Sequence, residues 1–242
     1  MTLISSVSGI RGTIGGKAGD NLSPIDVVRF ASAYGSWLLQ NHEKTLVVVG
    51  RDARPSGPMI QSLVQHTLIS LGIDVIDVGL STTPTVELEV VRHKAQGGII
   101  LTASHNPKEW NALKLLNEKG EFLNAQEGEI INQMSQNLSV IDFAAIDDLG
   151  SICTESDAIQ HHIEAIRNLS LVDLKAIQAK RFKVVVDGVN SSGGIAVPQL
   201  LEALGAEVIP IHCEPNGAFP HNPDPLAHHL TDLSEAVVAH QA

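Results

Sequence analysis

The sequence predicts an α/β protein: two consecutive three-layer α/β/α domains with mixed, largely parallel sheets, the second of them incomplete. Three observations carry this. Short β-branched runs alternate with amphipathic stretches between Pro24 and Leu101, the strand, helix, strand order that builds a parallel sheet. The unit then recurs, because Val184-Val185-Val186-Asp187-Gly188 echoes Val47-Val48-Val49-Gly50 and Leu204-Gly205-Ala206-Glu207-Val208-Ile209 echoes Leu71-Gly72-Ile73-Asp74-Val75-Ile76. Finally, a further helix begins after Leu230-Thr231-Asp232-Leu233 and the chain stops at Ala242, so the second domain reads as unfinished and the chain as a fragment or truncated product.

Composition narrows the function classes. With 242 residues, 43% hydrophobic and 18% charged, the chain can bury real cores and is not of disordered type. Its formal net charge of -11, with no dense Lys/Arg run, is a poor match for nucleic acid or an anionic membrane, so an anionic ligand must be held by local cations. Cys153 and Cys213 are far apart and fit no metal spacing, as expected of free thiols in a reducing cytoplasm. Met1-Thr2-Leu3-Ile4-Ser5 lacks a basic stretch followed by a long apolar one, and no apolar run approaches the ~18 residues of a membrane span. A cytoplasmic protein is expected.

In chain order, Ser8-Gly9-Ile10-Arg11-Gly12-Thr13 through Gly16 reads as a Gly-rich loop carrying one cation. It is not a Walker loop, since Ala18 follows Lys17. Arg11 is either a bidentate phosphate ligand or a solvated surface charge. Ser23-Pro24 opens a helix as cap and first-turn proline, with Val27, Phe30, Ala31, Tyr34 and Leu38 on one face. The strand Leu46–Val49 ends in the charged loop Gly50-Arg51-Asp52-Ala53-Arg54-Pro55-Ser56-Gly57; pairing of Arg51 and Arg54 with Asp52 is favoured there over anion binding. A second helix carries Ile60, Leu63, Val64, Thr67, Leu68 and Leu71, with Gly72 as its stop. The strand Ile73–Val78 follows, and Thr82-Thr83-Pro84 starts a third helix running to about Ala95.

The next stretch, Gly97-Gly-Ile-Ile-Leu-Thr-Ala-Ser-His-Asn-Pro107, is the focus of the chain. An apolar strand stops abruptly at small polar residues, which is how a buried strand delivers its C-terminal end to a surface loop. Ser104 is then either an N-cap or turn residue or an exposed nucleophile on a stiff loop, with His105 beside it. The segment 110–116 reads as a strand in which Lys114 lies between leucines, pointing to solvent or folding back beside the Ser104 loop. A polar helix from 125 to about 137 leads to a weakly patterned segment, giving domains 1–150 and 151–242.

In the second domain, Thr154-Glu155-Ser156-Asp157 reads as a capping box before a helix with Ile159, Ile163 and Ile166 inward. The following strand, helix, Gly, strand unit has Val197, Leu200, Leu201 and Leu204 on its helix face, and Asn190–Gly194 is either an anion-holding nest or a plain cap. His221, His228, His229 and Asp224 lie in a proline-rich stretch without ligand spacing, so no metal site is assigned there.

Taken together, Gly9-Ile10-Arg11-Gly12-Thr13, Gly50-Arg51-Asp52, Thr102-Ala103-Ser104-His105-Asn106-Pro107, Asn111 with Lys114, and Val186-Asp187-Gly188 resemble the α-D-phosphohexomutase family. Members interconvert hexose 1-phosphates and 6-phosphates and include phosphoglucomutases, phosphomannomutases and phosphoglucosamine mutases. The resemblance implies that Ser104 carries a phosphoryl group and also binds Mg2+ through it. It implies further that Arg11 and His105 line the phosphate site, and that Lys114 corresponds to the family's general acid or base. Phospho-Ser104 would donate to a sugar monophosphate and be restored by the bisphosphate. Such chemistry asks for positioning and charge neutralisation more than for covalent ingenuity.

One departure is large. Family members have four domains, with an aspartate loop for magnesium in the second, sugar recognition in the third and a phosphate clamp in the fourth; no Asp-x-Asp-x-Asp-Arg run occurs here. The resemblance thus implies partner domains of the same parent and further Mg2+ ligands beyond Ala242, and a chain inactive alone. The expected ligand is a hexose phosphate, without nucleic acid or membrane. Two rivals stand beside this reading: a noncatalytic module binding a phosphosugar or a partner chain, and a Ser104/His105 hydrolase, which lacks a Gly-x-Ser-x-Gly elbow.

Overall fold

The computed structural model describes residues 1–6, 9–42 and 44–242; Ser8, the first residue of the predicted Gly-rich loop, lies outside them. The first sheet has seven strands in the order β1-β2-β6-β5-β3-β4-β7. These are β1 (Ile4–Ser6), β2 (Gly9–Thr13), β3 (Leu46–Arg51), β4 (Asp74–Leu80), β5 (Gly97–Leu101), β6 (Trp110–Leu116) and β7 (Ile152–Thr154). The core β5, β3, β4 and β7 is parallel, and β6, β2 and β1 continue it antiparallel. Strand β7 follows the expected boundary at 150 yet pairs with β4, Val75 opposite Ile152.

Strand alternation distributes the helices. Val47 and Val49 of β3 and Ile99 and Leu101 of β5 face one core, with α1 (Pro24–Asn41), α2 (Gly57–Ser70) and α4 (Ala125–Gln136). Val48 and Ile100 point the other way, into a second core with α3 (Thr83–Arg92). The three-layer arrangement follows directly. Helix α1 shows why packing rather than propensity holds it: Val27, Phe30, Ala31, Tyr34 and Leu38 are all buried. Burying each large side chain is worth about 1.5–3 kcal/mol, against propensity costs below about 0.7 kcal/mol per residue for Val and Phe. Its start is fixed by a formed capping box, Ser23 with Asp26.

Crossovers decide where loops converge. From β3 the chain passes through α2 to β4 on one side, then through α3 back across β3 to β5. The direction reverses between β3 and β5, and in open α/β sheets the crevice at the carboxyl ends of such strands is where ligands bind. The loops at those ends are 52–56 and 102–109.

The second unit contains α5 (Ala158–Arg167), α6 (Leu174–Lys180), β8 (Lys183–Asp187), α7 (Gly193–Ala203), β9 (Glu207–Ile211) and α8 (Thr231–His240). Strands β8 and β9 pair in parallel through α7, Val185 opposite Ile209, so the predicted repeat of β3-α2-β4 is real in three dimensions.

Two local expectations differ. Gly9–Thr13 is a strand, not a loop, paired with β6 from Ile10↔Leu113 to Thr13↔Trp110. Its glycine signal reflects close approach: at Gly9, with φ +112°, a Cβ would sit 2.5 Å from the Leu113 carbonyl oxygen. The capping box at 154–157 does not form either. Glu155 Oε1 instead accepts the Asp157 N–H at 2.9 Å, and α5 begins at Ala158 without a side-chain cap.

Candidate active site

Ser104 stands exposed in the loop leaving β5. Its φ of +55° lies in the left-handed region, a conformation a non-glycine residue keeps only when its surroundings impose it. Those surroundings form a closed ring of hydrogen bonds. The Ser104 N–H donates to Thr102 Oγ1 at 3.0 Å, and the Thr102 hydroxyl donates to Asp52 Oδ2 at 2.6 Å. Asp52 accepts from Arg54 Nε at 3.0 Å, and Arg54 Nη2 returns to the Ser104 carbonyl oxygen at 2.8 Å.

Arg54 is wholly buried and uses all five of its N–H donors. Besides Asp52 and Ser104 it reaches the carbonyl oxygens of Asn106 at 2.7 Å, Pro107 at 2.6 Å and Trp110 at 3.0 Å. Burial pulls its pKa below the ordinary arginine range, against the pull of Asp52 and then Glu109. Of the pairings anticipated from sequence, that of Arg54 with Asp52 is present, whereas Arg51 donates to Gln61 Oε1 at 2.8 Å and to the Asp52 main-chain carbonyl oxygen at 3.1 Å; the four carbonyl contacts of Arg54 have no sequence signature. Buried Asn111 of β6 fastens the same region, donating to Ser56 Oγ at 2.9 Å. From the second unit, Ser191 Oγ accepts the Ala53 N–H at 3.3 Å, and the Phe219 ring centroid lies 5.2 Å from the Arg54 guanidinium carbon.

The remaining predicted residues divide. Arg11 on β2 pairs with Ala112 of β6, and Lys114 lies two residues further along β6, opposite Ile100 of β5. Pairing without a slip puts Arg11, Lys114 and Thr102 on one face of the sheet. Lys114 is half-buried, its Nζ 5.7 Å from the Phe122 ring centroid. Burial holds its pKa below the usual lysine range; Asp52 and Glu87 oppose this and Arg11 adds to it. His105 is exposed beside Ser104. No hydrogen bond joins any two of Arg11, Ser104, His105 and Lys114 among the described residues, so the nucleophile–base pair a Ser/His hydrolase needs is not formed.

In the second unit, Asp187 Oδ2 meets His221 Nε2 at 2.8 Å and Asp187 Oδ1 accepts the Val189 N–H at 2.9 Å. Val189 and Asn190 both have positive φ, +49° and +50°. The stretch Asn190–Gly194 is half-buried, with only Ser192 buried, and its Asn190 Nδ2 donates to the Ala218 carbonyl oxygen at 2.9 Å. No helix among the described residues is long and apolar enough to cross a membrane.

Known proteins share the fold that carries these residues. Residues 3–140 match the family model "phosphoglucomutase/phosphomannomutase, alpha/beta/alpha domain I" and residues 160–242 the corresponding domain II. A phosphoglucomutase/phosphomannomutase of Thermococcus kodakarensis is 38% identical over 234 residues, covering 94% of this chain and 50% of the relative. A phosphomannomutase/phosphoglucomutase of Pseudomonas aeruginosa is 36% identical over 232 residues, covering 95% and 47%. Among solved structures, a putative phosphomannomutase of Thermus thermophilus superposes with a TM-score of 0.83 at 26% identity, covering 98% of this chain and 52% of that one. The chain spans about half the length of the curated relatives it matches.

Proposed function

Since the chain belongs to the phosphoglucomutase/phosphomannomutase family, we propose that it carries the phosphoserine centre of a phosphohexomutase, with Ser104 as the phosphoryl-carrying residue. The observation that bears most of this reading is the exposed Ser104 held at φ +55° by a ring of buried hydrogen bonds at the crossover point between β3 and β5. A fixed hydroxyl is what phosphoryl transfer asks of its carrier, because the reaction depends on alignment with the incoming oxygen.

The other roles follow from residue chemistry. Arg11 presents a guanidinium that meets phosphate oxygens bidentately, and His105 offers a second donor beside the same phosphate. Lys114, kept below the usual lysine range mainly by burial, can accept the proton of the attacking sugar hydroxyl and return it in the reverse step. In the cycle, the phosphoryl group of Ser104 passes to one hydroxyl of a hexose monophosphate. The resulting bisphosphate then returns its other phosphate to Ser104, and the isomeric monophosphate leaves.

Mg2+ bound to the phosphoryl oxygens would neutralise charge developing in the transfer. Ser104 is the ligand this chain would supply; Asp52, the acid in its hydrogen-bonded ring, has Oδ1 committed to the Arg54 N–H at 3.0 Å and Oδ2 to Arg54 Nε and Thr102. With one ligand in place of the several oxygens Mg2+ requires, the 242-residue chain is proposed to be inactive in turnover by itself.

The test is intact-mass and peptide analysis after incubation with glucose 1,6-bisphosphate. A single phosphoryl group on Ser104, lost in Ser104→Ala, is expected; labelling on another residue overturns the assignment. A turnover assay on glucose 1-phosphate, mannose 1-phosphate and glucosamine 6-phosphate is expected to give no appreciable conversion, and robust conversion would refute the inactivity.

A further inference from the structure

Away from Ser104, the junction between α3 and the segment leading into the second unit gathers four metal-ligating side chains. Glu89 is on α3, His93 is the C-cap residue one turn further on, Glu155 follows β7, and His161 is on α5. Ligand atoms of Glu89, Glu155 and His161 all lie within 4.8 Å of one another. His93 Nε2 is 3.0 Å from Glu89 Oε2 and 3.9 Å from Glu155 Oε2, and His161 Nδ1 is 3.1 Å from Glu89 Oε1.

We propose that Glu89, His93, Glu155 and His161 form a binding site for a zinc-like divalent cation that clips α3 to α5. The donor set and its spacing lead there. Two imidazoles with two carboxylates suit Zn2+, Co2+ or Ni2+ and are poor ligands for Mg2+, so this site is independent of any Mg2+ at Ser104. Tetrahedral zinc with bonds of roughly 2.0–2.2 Å has ligand–ligand edges of about 3.3–3.5 Å, and the measured separations straddle that value. The cluster is also open on one side. The side chain of Glu89 is 1% exposed, but those of His93, Glu155 and His161 are 23%, 21% and 22% exposed, which leaves an entry path beside a buried anchoring carboxylate.

Arg92 is the competitor. Its Nη1 lies 3.4 Å from Glu89 Oε2 and 3.6 Å from Glu155 Oε2, on a side chain 45% exposed. The same Nη1 is 3.2 Å from His93 Nε2, and a half-exposed guanidinium in carboxylate pairs this long is weakly held. The cluster is thus a site in which an intramolecular cation holds the place of an external one. Glu155 Oε1 accepts the Asp157 N–H at 2.9 Å, which leaves Oε2 to face the cation.

The experiment is titration of the purified chain with Co2+ and Zn2+ at neutral pH, read by the visible absorption of Co2+ and by calorimetry. One site of micromolar affinity or tighter is expected, with the intense band of nitrogen-ligated tetrahedral Co2+, unmoved by millimolar Mg2+. His93→Gln and His161→Gln should each weaken binding at least tenfold, while His66→Gln, on exposed α2 surface, leaves it unchanged. Arg92→Gln, a surface change that spares the fold, should tighten it severalfold. No binding by the native chain, equal competition by Mg2+, or binding undiminished in the His93→Gln/His161→Gln double variant overturns the proposal, as does an Arg92→Gln variant that binds more weakly.

Discussion

Arg54 Nη2 donates to the main-chain carbonyl oxygen of Ser104 at 2.8 Å, so a wholly buried cation on the loop after β3 sets the backbone of the exposed serine after β5. Fifty residues of sequence separate the two. Replacing Arg54 by Ala leaves Asp52 without its cation and takes one donor from each of four carbonyl oxygens. Breaking a buried pair of this kind costs about 3–5 kcal/mol. Arg54→Lys is expected to recover less than half of that, because an ammonium has three donors in place of a planar fork of five. Urea unfolding checks both variants.

Ser104→Gly separates conformation from chemistry. Glycine adopts φ +55° without the cost of about 1–2 kcal/mol that a Cβ brings in this region, and its larger unfolded-state entropy offsets part of the gain. Stability is expected to stay level or rise by up to about 1 kcal/mol, while phosphoryl labelling disappears. Ser104→Val, β-branched at the same φ, should lose about 1–2 kcal/mol. Thermal melts compared with mass analysis read both effects.

Lys114 is expected to titrate below ordinary lysines, because burial disfavours its charged form. Arg11 adds to that depression, so Arg11→Ala should move the Lys114 titration upward. The pH dependence of amine acetylation at Lys114, against exposed Lys119 in the same digest, measures this. A Lys114 rate profile that coincides with that of Lys119 would contradict it.

His221 gives the second unit a pH dependence. Burial acts to lower its pKa, but the Asn222 carbonyl, then Asp187 and Asp232, together hold it above the ordinary 6.5. A histidine raised on folding contributes stability that is full below its unfolded pKa and is lost as pH rises through the folded one. The melting temperature is therefore expected to fall as pH climbs from about 6.5, and His221→Gln should flatten that slope.

Gly97 is expected to tolerate no side chain. A Cβ there would overlap the Tyr34 hydroxyl and lie 3.0 Å from the Leu116 carbonyl oxygen, to which that hydroxyl donates at 2.6 Å. Gly97→Ala should cost about 1–3 kcal/mol by overpacking. In the double variant with Tyr34→Phe the losses should fall short of additivity by about 1 kcal/mol, since one change removes the atom the other strikes. Denaturant unfolding of the four-member cycle provides the numbers.

Local chemistry made much of the fold legible. The capping of α1 by Ser23, the buried faces of α1 and α2, the strand 110–116 and the repeated strand, helix, strand unit are written in residues at fixed short spacing, and the structure reproduces each. The glycines at 9–13 misled because a glycine needed for close approach to a neighbouring strand looks the same in sequence as one needed for a turn. At 154–157 the residues of a capping box were present, but Glu155 turned to the Asp157 N–H.

The sequence by itself determined which residues can do chemistry. A serine after a buried strand, cations at 11 and 114, and the motif around Thr102–Pro107 are local patterns, readable without the fold. Only the tertiary structure decided what holds them. The ring from Ser104 through Thr102, Asp52 and Arg54, the common face of Arg11 and Lys114, and the cluster of Glu89, His93, Glu155 and His161 each join residues from separate elements. The reason is physical: strand order and crossover direction bring those elements together, and burial then fixes which partner each polar group finds, a choice that spacing along the chain does not encode.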